Sequence, residues 1–150
     1  DVEQPIAYRQ GGAAPKLVRV GEDELMDIAL REAAELDDGL LAVIGPRSLV
    51  HRHGELFDEA DVPLLTAREA KGLEFDHVVV VEPALIADEA SLAMPSSGRA
   101  GSPRGRLQCG TPTPDVDTHA EGGERGLREV YVALTRPTKT LVVVHSRPLP

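Results

Sequence analysis

Apolar residues along this chain fall into two kinds of block. Continuous runs at 40–44, 78–81 and 141–144 mark segments 40–44, 77–82 and 140–145, and residues 78–81 are an unbroken series of valines. Such a run cannot alternate between core and water, so each predicts a strand covered on both faces. Shorter extended segments are predicted at 17–20 and 62–65. Between them the apolar positions shift to helical spacing. Leu25, Ile28, Ala29, Ala33 and Leu36 share one face of a helix expected over 22–35. Glu22, Asp23 and Glu24 occupy its first turn, where the helix dipole favours negative charge, and Asp37-Asp38-Gly39 ends it. Further helices are expected over 49–59 and 126–134. Val- and Leu-rich strands alternating with helices predict an α/β fold with a parallel sheet flanked by helices on both faces. Ligands of such sheets bind beyond the carboxyl ends of the strands, which points to the loops after Ile44, Leu65, Val81 and the last strand.

One region breaks the pattern. From 91 to 123 the chain is rich in Ser, Gly, Pro and Thr and shows almost no apolar periodicity. A disordered polar insertion is expected there. A partner-binding or strand-guiding loop is the alternative, with Arg99, Arg104 and Arg106 as a small basic cluster able to touch phosphate. Residues 1–16, with Pro5, Gly11, Gly12 and Pro15, read as an irregular lead-in, and 148–150 as a tail. One domain over 17–147 is therefore expected.

Composition narrows the function. The chain has 150 residues, 41% of them hydrophobic and only 3% aromatic, so the core must be built from Val, Leu, Ile and Ala. A formal charge of -9 repels free nucleic acid on average. The scarcity of aromatics argues against a base-stacking platform. The single cysteine, Cys109, excludes an internal disulfide and a cysteine-based zinc site. No apolar run approaches the length of a membrane span and no signal peptide is visible, so a cytoplasmic protein without a membrane partner is expected.

Two segments carry candidate chemistry. In Thr66-Ala67-Arg68-Glu69-Ala70-Lys71-Gly72-Leu73-Glu74-Phe75-Asp76, Gly72 permits a positive-φ turn or a close backbone approach to a ligand. Lys71 and Glu74 are three apart and can project from one side of a turn. They can meet a phosphate and a hydroxyl, or simply form a surface ion pair. In Arg128-Glu129-Val130-Tyr131-Val132-Ala133-Leu134-Thr135-Arg136-Pro137-Thr138-Lys139, the apolar residues fit a helix docked on the sheet. Pro137 disfavours helical backbone at Arg136, so the helix should stop there and present a guanidinium aimed outward. An arginine so held can neutralise a transferring phosphoryl group, or complement the helix dipole.

AKGLEFDHVVVVE resembles motif V, and REVYVALTRPTKTLVVVHS resembles motif VI, of the UvrD/Rep superfamily-one helicases. TAREAKGLEFD with VEPA after the strand looks most like the HelD branch, whose members act on RNA polymerase. The resemblance spans roughly 40–147 without the insertion. It implies the C-terminal RecA-like lobe of a motor. Arg136 then corresponds to the arginine that reaches the γ-phosphate, and Glu74 to the glutamate that binds the ribose hydroxyl. Lys71 and Gly72 fall in the segment linking nucleotide to nucleic-acid track. Tyr131 and Arg128 match positions that support the motif VI helix. VIGPRSL resembles motif IV, with Arg47 the nearest match to its phosphate-approaching arginine. Arg68-Glu69 stand where UvrD-like proteins usually carry His-Ser, and Pro137 where Ala is common.

No GxxxxGK[ST] occurs in the chain, so no P-loop is present to cradle phosphates. ATP and Mg are expected to be bound mainly by an N-terminal RecA-like lobe lying upstream, with this chain as a fragment of a longer protein. Nucleic acid, RNA polymerase or both are the expected further partners. On this reading the chain alone hydrolyses no ATP. The alternative is a non-enzymatic helicase-like module that docks to RNA polymerase.

Overall fold

The computed structural model describes residues 13–36, 38–92 and 118–150. Five strands form one sheet: β1 (Lys16–Arg19), β2 (Leu41–Ile44), β3 (Leu64–Leu65), β4 (Phe75–Val81) and β5 (Pro137–His145). Every pairing is parallel, and the order across the sheet is β1-β5-β4-β2-β3. The helices are α1 (Leu25–Ala34), preceded by a 3-10 turn at Glu22–Glu24, then α2 (Arg47–Glu59), α3 (Pro83–Leu92) and α4 (Thr118–Leu134). This is the α/β architecture expected of a RecA-like lobe.

The valine runs explain why the sheet lies in the middle. In a strand, successive side chains point to opposite faces. Val79 and Val81 of β4 join Val43, Val142 and Val144 beneath α1 and α2, against Leu25, Met26, Ala29, Ala33 and Phe57. Val78 and Val80 join Ile44 and Val143 on the other face, against Ile86 of α3 and Val130 and Ala133 of α4. Val78 through Val81 are all fully buried. Burying each large apolar side chain contributes about 1.5–3 kcal/mol, so neither face of β4 can be exposed cheaply.

Helix α3 was not legible in the apolar pattern. It packs on both the sheet and α4, so its apolar residues are spread around it rather than along one stripe; Pro83 at its first turn suits the missing N–H. Helix α4 begins at Thr118, eight residues before the expected start, within the stretch read as a polar insertion. Residues 93–117, and with them Arg99, Arg104 and Arg106, lie outside the described residues, as do residues 1–12 of the lead-in.

Among the described residues no helix is long and apolar enough to cross a membrane.

Candidate functional site

The two motif segments meet at the amino edge of the sheet, where β4 and β5 begin side by side. Phe75 pairs with Pro137. The Phe75 N–H donates to the Arg136 carbonyl (3.2 Å), and Arg136 Nη1 donates to the Leu73 carbonyl (3.2 Å). Glu74 is thus bracketed by two hydrogen bonds to Arg136, one on each side of it in the chain. Residues far apart in sequence are held within one turn of each other by main-chain geometry.

Arg136 is half-buried and does not project freely outward. Its Nε donates to the Val132 carbonyl at the end of α4 (3.1 Å), and Nη2 reaches Thr135 Oγ1 (3.4 Å). The guanidinium therefore serves the helix terminus. Helix α4 ends at Leu134, as Pro137 requires. Thr135 closes the helix further, its hydroxyl donating to the Tyr131 carbonyl (2.8 Å).

Lys71 and Glu74 are both exposed, and the surface ion pair between them does not form. Neither side chain has a hydrogen bond or ion pair among the described residues. Gly72 adopts φ +83°, the left-handed conformation that glycine tolerates best. The turn before it is fixed by a reciprocal cap. Thr66 N–H and Oγ–H both donate to Glu69 Oε2 (2.8 Å each), and Glu69 N–H donates back to Thr66 Oγ1 (3.3 Å). The Thr66 N–H, aided by its hydroxyl, holds the Glu69 carboxyl below its ordinary pKa. Glu69 thus closes the turn ahead of Gly72.

Arg47 does not join this group. It opens α2 beyond the carboxyl end of β2, while Glu74 precedes the amino end of β4. The strands between them place the two about 20 Å apart along the sheet. Tyr131 and Arg128, which the resemblance matches to positions that support the motif VI helix, are exposed, Tyr131 at 68%.

The carboxyl edge has a different character. Between β2 and β4 the connections leave on opposite faces, through α2 and α3, which makes a switch point of the kind where ligands often bind. Here Glu89 of α3 spans it, accepting the Ser48 N–H at the start of α2 (3.3 Å to each oxygen). Next to it, Glu82 is only 2% exposed and adopts φ +48°. Its carboxylate accepts Ser146 Oγ–H (2.6 Å), Ser146 N–H (3.0 Å) and Arg147 N–H (3.2 Å). Glu82 lies one residue beyond β4 rather than at its end, and the only sequence signal for this role is a carboxylate directly after a fully buried run. A cavity of about 420 Å³ opens on this side, lined by Glu22, Asp27, Leu49, Arg52, Glu82 and Arg147 among others. None of Lys71, Gly72, Glu74, Arg136 or Arg47 lines it. We locate the candidate site at the amino edge, because the two motif segments converge there beside Lys71 and Glu74.

Among the described residues no group of three or more His, Cys, Asp or Glu could hold a metal ion. No protein-family model matches this chain, and no curated protein matches it.

Proposed function

We propose that this chain is the C-terminal motor lobe of an ATP-dependent DNA helicase or translocase of UvrD/HelD type, acting in the cytoplasm. It supplies motif V and motif VI residues to an ATP site shared with an N-terminal lobe. The observation that carries this reading is the bracketing of Glu74 by Arg136 at one exposed edge.

The chemistry fits the residues present. A free carboxylate at Glu74 is an acceptor for a ribose hydroxyl, and a free ammonium at Lys71 meets phosphate or the nucleic-acid track. Gly72 lets the backbone turn between them. The Arg136 guanidinium has five N–H donors, of which three are engaged within the lobe, leaving two for a phosphoryl oxygen. Charge stabilisation by such an arginine contributes about 10³–10⁵ in rate. The P-loop lobe would hold the phosphates and Mg, which supplies further charge neutralisation there. Arg47, at the other edge, would serve only if a ligand spanned the sheet end to end.

A second reading is a non-enzymatic module that docks to RNA polymerase. Leu127 and Tyr131, one helical turn apart on α4 and 56% and 68% exposed, favour it as a contact surface. The test uses the whole protein with both lobes. Arg136→Ala should abolish ATP turnover while leaving fold and partner binding intact. Normal turnover in that variant would favour the module.

A further inference from the structure

The ladder between β4 and β5 is irregular where the candidate site begins. Phe75 pairs with Pro137, but His77 pairs with Thr140, so β5 advances three residues while β4 advances two. The extra residue on β5 lies at Thr138-Lys139, opposite Asp76. A bulge of this kind re-aims the strand end beyond it, and the strand ends beyond it are Glu74 and Arg136.

Asp76 ties this bulge down. One carboxylate oxygen accepts Lys139 Nζ across the bulge (3.2 Å). The other accepts the Leu40 N–H from the start of β2 (2.9 Å). The neighbouring His77 fastens the same turn, its N–H donating to the Leu40 carbonyl (3.0 Å) and its Nε2–H to the Asp38 carbonyl (2.7 Å). Gly39 passes so close that a Cβ there would collide with the Asp76 carboxylate, and its φ is +124°. One carboxylate therefore joins the starts of three adjacent strands, β2, β4 and β5.

We infer that Asp76, through Lys139, is a positioning residue that locks the β4–β5 bulge and so sets the offset of Arg136 from Glu74. This rests on the reading of those two residues as an ATP-site edge. Without the staple, the short segment from Arg136 to Lys139 can relax toward regular pairing. That moves the guanidinium relative to Glu74 while leaving the buried ladder from Val78 onward in register. Misplacement by ~1 Å is enough to cost on the order of 100-fold in rate.

The test is steady-state ATP turnover by the whole two-lobe protein, with amide hydrogen exchange on the same samples. Lys139→Met removes the ion pair from an exposed position and keeps the Leu40 bond, so folding is not at risk. It should lower kcat by about tenfold, leave KM for ATP nearly unchanged, and speed exchange at the Phe75 amide. Lys139→Arg should restore both. Asp76→Asn should match Lys139→Met, since the amide oxygen still accepts from Leu40. If Arg136→Ala abolishes turnover but Lys139→Met and Asp76→Asn retain wild-type kcat, the positioning role is overturned. If Arg136→Ala itself turns over normally, the reading of the site fails instead.

Discussion

The two edges of the sheet use charge in opposite ways. At the carboxyl edge, Glu82 is buried with three donors on its carboxylate, and Glu89 is spent on the first turn of α2. At the amino edge, Lys71 and Glu74 are exposed and have no partner among the described residues. Glu82 and Glu89 are committed to the fold, as Asp76 is at the amino edge. On the proposed reading the ligand meets the amino edge, the reverse of the usual arrangement in an open α/β sheet.

If the contrast is sound, variants at the two edges should separate stability from activity. The largest effect on stability is expected for Glu82→Ala. It leaves Ser146 and Arg147 amides without an acceptor and should cost about 3 kcal/mol in urea unfolding. Glu82→Gln, which keeps one acceptor oxygen, should lose less. Equal, small losses for both would mean the carboxyl edge is not held as described. Gly39→Ala should come next, at about 2 kcal/mol, because it combines a disfavoured φ with a collision against Asp76. A variant as stable as wild type would show that the Asp76 node is loose.

Acid should have a smaller effect with a definite sign. The Leu40 N–H, and then Lys139, hold the Asp76 carboxyl below its ordinary pKa. The Thr66 N–H does the same for Glu69. A lowered folded-state pKa gives stability that is present above the ordinary value of about 4 and lost as pH falls through the lowered one. Asp76→Asn should therefore flatten the fall in melting temperature on the acid side of pH 4. An unchanged slope would remove Asp76 from the acid response. The smallest change belongs to Lys71→Ala and Glu74→Ala. Each should shift stability by no more than about 0.5 kcal/mol, since each abandons no bond. A loss well beyond that would expose a structural role and blur the distinction between the edges.

Legibility in the sequence followed the same division. Three strands were readable because an apolar run flanked by turn residues cannot alternate between core and water, β1 and β3 were readable as shorter extended segments, and the order of blocks implied a parallel sheet. The motif residues were readable by resemblance alone; local physics left Lys71 and Glu74 as a surface pair and Arg136 as a helix-end arginine. The structure shows that the first pair does not form and that the second description is half true. Helix α3 escaped because packing on two sides erases the periodicity that marks a helix. Glu82 and Asp76 escaped because their partners are main-chain amides 36 to 65 residues away, and no spacing rule reaches that far. Arg47 was grouped with the others by likeness of motif, yet strand direction alone sends it to the opposite edge.

The central claim is that this chain completes an ATP site without forming one. Its most direct test is ATP turnover measured for the chain alone and for the same chain joined to its P-loop lobe. The expected result is no turnover alone, turnover when joined, and loss of that turnover in the joined Arg136→Ala variant. Hydrolysis by the chain alone, or undiminished hydrolysis by the joined variant, would contradict it.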